Sequence, residues 1–363
     1  IAQIKSKRIF GSVKETITDG NMPNSKKIEI VVEEKPTGEI SAGAGIGTDG
    51  GSFAFSVKEN NWLGKGATLS ANAEVSQDSL SGSLSYTDPD YNFTGQELSY
   101  FIKNVKNDKP DSGYENNILG AGITLSYEKF KDIYFSPGLS LEYDDLKTDD
   151  TASQLLKKQS GSSTDLLFDY ALSTDKRDRR FMPTDGYLTS FFQEVPVYAD
   201  QPHIKNSFST SLYQEFNEDL IGALKFGATA INGLSDDDVR ISQRLGLSSK
   251  RLRGFEPGKI GPKDGDDFIG GNYSTSLNLE ANFPNFFPEK SNAEIGLFLD
   301  AGNVWGVDYS DDIDDSNKIR STIGINTSWL SPAGPLSFIF SQNISKASTD
   351  VDQSFNFRLG TTF

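Results

Sequence analysis

The sequence predicts an all-β fold, namely a 16-stranded antiparallel transmembrane β-barrel with a short piece of a periplasmic α/β domain in front of it. Three observations support this prediction. The composition favours strands over a Leu-rich helical core, because the chain has 25 Phe and 13 Tyr but only 2 Met. Apolar and polar residues alternate with a period of two. The alternating segments are about ten residues long, enough to cross a bilayer at a tilt, and number about sixteen, an even number as single-chain bacterial barrels require.

The alternation is cleanest in NYSTSLNLEANF (272–283). Leu277 and Leu279 lie on one face of this strand, whereas Asn278 and Glu280 lie on the other. The same pattern recurs in three later segments: 293–302, 335–343 and 355–363. The polar face carries small polar residues and some charge, whereas a soluble sandwich would carry many Lys and Glu. We therefore interpret the polar face as a wet lumen and the apolar face as a lipid-facing surface.

The barrel is predicted to occupy residues 37–363. Its strands are expected near 38–48, 51–60, 66–76, 79–88, 96–108, 116–128, 133–147, 162–173, 186–196, 203–216, 219–234, 272–283, 293–304, 319–330, 335–343 and 355–363. The connections alternate between short turns and longer, often acidic loops, which is typical of the periplasmic and extracellular sides of outer-membrane barrels. The longest connection, 235–271, falls in the extracellular set. The expected location is the bacterial outer membrane.

Residues 1–36 differ from the rest of the chain. SKKIEIVVEEK (25–35) resembles a strand followed by a charged hinge, and KSKRIFGSVKETI (5–17) resembles the end of a helix followed by a strand. We interpret this region as the end of a small periplasmic α/β domain, within a chain cut from a larger protein.

Composition and motifs argue against an enzyme. The chain has no cysteine and a single histidine, His203, which removes thiolate zinc sites and Cys/His nucleophile pairs. GIGTDG (45–50) matches the letters of a dinucleotide fingerprint, but an alternating strand follows it where the motif needs a helix. We predict no catalytic residue, no cofactor and no metal site. The net charge of −16 argues against nucleic acid as a partner.

The stretch RLRGFEPGKIGP (251–262) concentrates cations and glycines in an acidic chain. Two strands after this loop place acids on the polar face, Glu280 and Asp300. Because the planar fork of arginine binds carboxylates bidentately, we expect loop 235–271 to fold into the lumen with Arg253 against these acids.

In this arrangement Gly254 allows a tight turn and Phe255 anchors the tip of the loop. The alternative is an ordinary exposed arginine in an acidic loop, where ion pairs are common and weak.

Leu252-Arg253-Gly254-Phe255, here called the loop-lock motif, resembles the (V/I/L)-R-G-(F/Y) signature of the outer-membrane protein assembly factors, the BamA family. Further blocks resemble this family in the same order: NNWLGKG (60–66), MPTDGY (182–187), IGPK (260–263), GGN (270–272), LFLDAGNVW (297–305), WLSPAGPL (329–336) and FNFRLGTTF (355–363). The resemblance covers nearly the whole chain. The chain departs from some members in its short segment between Lys263 and Gly270 and in its lack of cysteine.

The resemblance implies a 16-stranded barrel that follows periplasmic POTRA domains, with residues 1–36 as the end of the last one. The implied activity is the folding and insertion of β-barrel proteins into the outer membrane, without ATP or cofactor. The implied partners are unfolded β-barrel clients, accessory lipoproteins of the assembly complex, periplasmic chaperones, membrane lipid and lipopolysaccharide. In this family an arginine of the sixth loop sits against lumen acids, and those roles fall on Arg253, Asp300 and Glu280.

The seam, where the first strand meets the last, is the expected route for clients. Its candidate residues are three glycines of the first strand and three residues of the last: Gly43, Gly45, Gly47, Phe357, Gly360 and Phe363. Glycine weakens a strand, so such a seam can open and offer its edge to a client strand. The alternative is that these glycines only fit the curvature of the barrel. A disulfide between Gly43 and Gly360, if they are close, would lock the seam.

Two other functions stay open for the sequence. A transporter of the same superfamily, of the two-partner secretion type, would export a polypeptide through its lumen, conduct ions once the loop is displaced, and carry fewer POTRA domains. A passive porin would have a constricting loop without the Arg-Gly-Phe turn and would lack a periplasmic domain.

Overall fold

Sixteen antiparallel strands form one closed barrel in the computed structural model, which describes residues 9–22, 24–180, 182–235, 238–288, 293–314, 317–331 and 334–360. The strands are β1 (Gly38–Gly47), β2 (Gly50–Trp62), β3 (Ala67–Ser76), β4 (Ser79–Tyr91), β5 (Gln96–Lys109), β6 (Tyr114–Phe130), β7 (Ile133–Thr148), β8 (Gly161–Asp175), β9 (Gly186–Ala199), β10 (His203–Asn217), β11 (Leu220–Gly233), β12 (Tyr273–Phe283), β13 (Ala293–Trp305), β14 (Arg320–Ser331), β15 (Gly334–Ser345) and β16 (Phe355–Gly360). The predicted all-β, 16-stranded fold is confirmed, and each predicted strand overlaps one of these.

The two rims of the barrel differ in the length of their connections. One rim, the long-loop rim, carries the connections that follow β1, β3 and every second strand after them, including 149–160 and 234–272. These connections contain the small elements Pro110–Ser112, Gln154–Lys157, Ile241–Gln243, Gly254–Phe255, Lys263–Asp264, Asp267–Phe268 and Asp352–Gln353. Among the described residues, no helix is long and apolar enough to cross a membrane.

Alternation along the strands separates an outer apolar face from a polar interior. On β12, Leu277 and Leu279 keep 37% and 40% of their surface exposed, whereas Asn278 between them is buried. On β13, Asp300 is completely buried beside the exposed Leu299. Because successive side chains of a strand point to opposite faces, Asn278 and Asp300 are directed into the lumen.

The long loops pack together over one end of the lumen. Leu146 and Leu156 share an apolar cluster with Ile241 and Ile269, so that connections 149–160 and 234–272 are held against each other. Both ends of connection 234–272 are therefore held in place by this cluster, and its central part, around Arg253, extends to the barrel wall.

An antiparallel ribbon of Phe10–Asp19 and Lys26–Glu34 precedes the barrel. The sequence predicts the end of a helix here as well, but that prediction falls partly on residues 1–8, outside the described residues. The assignment of residues 1–36 to the last POTRA domain stays a prediction.

Candidate functional site

Arg253 makes a bidentate ion pair with Asp300. Its Nε and Nη2 donate to Oδ2 and Oδ1 of Asp300 at 2.7 and 2.6 Å, and its backbone N–H donates to Oδ2 at 3.1 Å. Its Nη2 also lies 3.0 Å from Oε1 of Glu280. The structure thus brings Arg253 against both acids that the sequence singles out. At an effective dielectric constant of 20, opposite unit charges at 4 Å attract by about 4 kcal/mol, so these contacts hold the loop strongly.

Two further side chains complete this ion cluster, and the sequence interpretation missed both. Lys225 of β11 donates to Oε2 of Glu280 at 2.7 Å, so each oxygen of that carboxylate faces a cation. The ring of Phe298 lies beneath the guanidinium of Arg253, with 3.7 Å between Cζ and the ring centroid, where the face of the ring attracts a cation. Each had a signal in the sequence, since Lys225 is a lone cation in GALKFGATA and Phe298 a large aromatic residue on the lumen face.

Gly254 lies at a point where the chain and the wall of the lumen nearly touch. Its φ is +89°, in the left-handed region that favours glycine, and a Cβ atom there would lie 2.5 Å from Oδ1 of Asn343 and 2.9 Å from Oγ1 of Thr322. Its carbonyl oxygen accepts a hydrogen bond of 3.0 Å from Nδ2 of Asn343. The turn of the loop-lock motif is therefore built against β14 and β15.

Leu252 and Phe255 anchor the motif by burial. Each is 2% exposed, and both belong to an apolar cluster with Ile260 and Val304. Burying a Leu or Phe side chain stabilises a structure by about 1.5–3 kcal/mol, so these two residues support the ion pair from either side.

The loop also pairs with the connection that leads into the last strand. Gly254–Phe255 pairs antiparallel with Asp352–Gln353. Next to this pair, Glu256 N–H donates to Val351 O at 3.0 Å, and Val351 N–H donates to Lys259 O at 3.1 Å. The position of the loop is therefore linked to the position of β16.

Replacing Gly254 with alanine is expected to loosen the loop. A residue forced into this backbone region costs about 1–3 kcal/mol, and the added methyl group also clashes with Asn343. Limited proteolysis within connection 234–272 should become several-fold faster. Gly258→Ala is the matched control, because Gly258 has a φ of +75° but no atom within 4 Å of its Cβ position. Equal cleavage of the two variants would show that the contact with β14 and β15 does not hold the loop.

Over the residues that the structure describes, the seam between β1 and β16 is shorter than the pairing between the other neighbouring strands. Within the described residues, β16 pairs with β1 through Arg358–Gly47, Leu359–Ile46 and Gly360–Gly45. By contrast, β1 pairs with β2 along its whole length. Because a backbone hydrogen bond contributes only about 0.5–1.5 kcal/mol net, so short a ladder separates at low cost.

The seam residues singled out from the sequence fall into different places. Gly45 and Gly47 lie opposite Gly360 and Arg358 of β16, whereas Gly43 has no partner among the described residues of β16. Gly360 therefore faces Gly45, not Gly43, and the disulfide pair considered from the sequence is shifted by two residues. Gly360 also has a φ of +134°, and a Cβ atom there would lie 2.1 Å from Ala44 O, so this position does not accept cysteine.

Phe357 joins the seam through its backbone. Its carbonyl oxygen accepts from Thr48 N–H at 3.0 Å, and its own N–H donates to Thr48 Oγ1 at 2.9 Å. Phe363 lies outside the described residues. In the part of the chain that the structure describes, no group of three or more His, Cys, Asp and Glu residues is arranged to hold a metal ion.

Comparisons with known proteins agree with this architecture. A family model described as the Omp85 superfamily domain matches residues 61–363. The outer membrane protein assembly factor BamA of Neorickettsia risticii (strain Illinois) is 28% identical over 318 residues, covering 85% of this chain and 43% of that protein. The crystal structure of BamA from Haemophilus ducreyi lacking POTRA domains 1–3 matches with a TM-score of 0.88 and 26% identity, over 100% of this chain and 77% of that chain.

A second solved structure shares only the fold. CdiB from Acinetobacter baumannii matches with a TM-score of 0.59 and 13% identity, over 99% of this chain and 67% of that chain. The chain spans about half the length of the curated relatives that it matches.

Proposed function

Because the chain belongs to the Omp85 superfamily, we propose that it catalyses the folding and insertion of β-barrel proteins into the bacterial outer membrane, through the seam between β1 and β16. The motif-based resemblance to the BamA family is confirmed, and the barrel is an outer-membrane protein. The observation that carries the proposal is the seam itself, which is three described residue pairs long, whereas the next shortest pairing in the barrel, between β15 and β16, has five.

An opened seam supplies what an inserting strand lacks. The N–H and C=O groups of a strand that enters lipid have no water to bind, and each unpaired group costs several kcal/mol. The free edge of β1 offers a row of matching groups, so a client strand can pair with it as it enters the membrane. A new client edge then replaces the old one, and the next strand adds in the same way. No step of this mechanism consumes ATP or needs a cofactor, and no covalent bond is made or broken. We therefore do not class the protein as a classical enzyme.

The loop-lock motif gives this seam a defined resting state. Arg253 holds the loop to β12 and β13, and the tip of the loop pairs with the connection that precedes β16. The lock thereby positions β16 against β1 until a client competes for the edge.

The proposed partners follow from this activity. Unfolded β-barrel clients bind the seam, periplasmic chaperones deliver them, and accessory lipoproteins assist from the short-turn side of the barrel. Lipid and lipopolysaccharide contact the apolar outer face, where large side chains such as Phe53, Leu297 and Phe340 are exposed.

Reconstitution tests the proposal. The full-length protein with its complete periplasmic region is placed in liposomes, and the folding of a urea-denatured barrel client is followed by its heat-resistant gel shift. We expect client folding to be accelerated at least tenfold over empty liposomes. Absence of acceleration, together with ion conduction or export of a soluble polypeptide, would favour the two-partner secretion type of transporter.

A further inference from the structure

Asp49 lies in the turn between β1 and β2, at the long-loop rim of the seam. Its Oδ2 accepts hydrogen bonds from Ser249 Oγ at 3.1 Å and from Arg358 Nη2 at 3.2 Å. Its Oδ1 accepts from Gln353 Nε2 and from Asn356 Nδ2, each at 3.1 Å. One carboxylate thus receives four donors, one from connection 234–272 and three from residues 353–358, which lie 200 to 309 residues from Asp49 along the chain.

These donors belong to the three parts that must move for a client to enter. Ser249 lies in the loop, four residues before Arg253, so that at most about 14 Å of extended chain separates the two. Gln353 belongs to the connection whose backbone pairs with Gly254, and Arg358 belongs to β16 itself. Arg358 also donates to Ser249. Asp49 adds the hairpin of β1 and β2 to this set, from the opposite side of the seam.

We propose that Asp49 is a positioning residue that couples the insertion of the loop to the closure of the seam. The inference rests on the proposed function, in which the seam is the route for clients. With the loop in place, Ser249 and Arg358 hold the Asp49 carboxylate, and β1 is held to β16 beyond its short backbone ladder. When the loop leaves, Asp49 loses Ser249 and the seam opens more easily. Conversely, separating β1 from β16 removes a contact of the loop.

The charge of Asp49 suits this role. Partial burial raises the pKa of Asp49, but the hydrogen bonds from Gln353, Asn356, Arg358 and Ser249 lower it more, so the net pKa lies below the ordinary value. For a lowered pKa, the stabilising contribution is complete above the unfolded-state value and is lost as the pH falls through the folded-state value. The coupling therefore persists through neutral and mildly acidic pH.

Asp78 provides a matched control. It lies in the turn between β3 and β4, the next hairpin on the same rim, and its side chain is exposed. Removing its carboxylate changes the charge of the rim by the same amount as removing that of Asp49, but leaves the seam contacts intact.

The test is a distance measurement across the seam in the full-length protein in lipid nanodiscs, without a client. Spin labels on cysteines at Phe53 of β2 and Phe340 of β15, which are 51% and 58% exposed on the outer face, flank the seam one strand away on each side. Pulsed electron paramagnetic resonance then measures the distance distribution between the two labels, from which the ratio of open to closed seams is obtained. Because Asp49→Ala removes hydrogen bonds to a charged group across the seam, we expect it to raise the ratio of open to closed seams by roughly tenfold. Asp78→Ala should match the unsubstituted protein.

Coupling is read from a double variant. We expect Arg253→Ala to raise the open fraction several-fold when Asp49 is present, and by a clearly smaller factor in an Asp49→Ala background, where the pairing of Gly254–Phe255 with Asp352–Gln353 is the remaining link. Independent, additive effects of the two substitutions would overturn the proposal, as would an Asp49→Ala distance distribution that superimposes on that of the unsubstituted protein. Asp49→Asn keeps the shape and one acceptor oxygen, so it should give an intermediate ratio and serves if the alanine variant does not fold. Because no client is present, failure of client folding in liposomes refutes the proposed function separately from this coupling.

Discussion

The Arg253→Ala variant of the full-length protein is expected to lose most of its ability to fold clients, with an initial rate at least tenfold below that of the unsubstituted protein. The substitution leaves Asp300, which is completely buried, without its bidentate partner. Removing one member of a buried ion pair costs about 3–5 kcal/mol, because the remaining charge stays buried and uncompensated. The loop should then leave its place against β12 and β13, and with it the defined position of β16.

Two control variants distinguish the loss of the Arg253–Asp300 ion pair from a general loss of positive charge. Lys250→Ala removes a cation from the same loop at an exposed position and should fold clients at the unsubstituted rate. Arg253→Lys keeps the charge but cannot form the two parallel bonds to Asp300, so an intermediate rate is expected. Client folding by Arg253→Ala at the unsubstituted rate, with connection 234–272 as resistant to protease as before, would show that the loop is held without this arginine.

The barrel is predictable from the sequence because apolar and polar residues alternate within each strand, so the direction of each side chain follows from that strand alone. On β12, the face that carries Leu277 and Leu279 must meet lipid. A shift of one residue in the pairing would turn Glu280 outward. The same argument fixes the direction of Asp300 on β13. Two acids that point into the lumen predict a contact with a nearby arginine of an otherwise acidic loop. The contact of Arg253 with Glu280 and Asp300 is therefore predictable from the sequence.

The seam is less predictable, because neither of its strands determines their mutual register. β1 is glycine-rich, so its pairing with β16 is not fixed by large side chains, and a slip of two residues preserves the inward and outward faces. The sequence therefore does not distinguish Gly43 from Gly45 as the residue that faces Gly360. The contacts of Lys225 and Phe298 with the ion cluster depend likewise on how neighbouring strands are staggered, which no single strand encodes.

Covalent closure of the seam is expected to stop client insertion without unfolding the barrel. Ile46 and Leu359 lie directly opposite each other, and the chain contains no cysteine of its own, so Ile46→Cys with Leu359→Cys forms one defined crosslink. Cβ atoms of directly opposite residues are about 4.5–5.5 Å apart, so oxidation, or a short thiol-specific crosslinker, should join them. The oxidised protein should keep its heat-resistant mobility, and client folding should fall to the level of empty liposomes and return after reduction.

A crosslink on the other edge of β1 shows whether the seam itself matters. Ala44 and Phe53 are opposite residues of β1 and β2, so Ala44→Cys with Phe53→Cys restrains the same strand but leaves its edge toward β16 free. This control should insert clients at the unsubstituted rate in both redox states. If the oxidised seam variant inserted clients equally well, the edge of β1 could not be the template, because its groups would stay paired with β16. Clients would then have to fold beside an intact barrel, aided only by its effect on the surrounding lipid. Recovery on reduction therefore links insertion to a reversible opening of one particular strand pair.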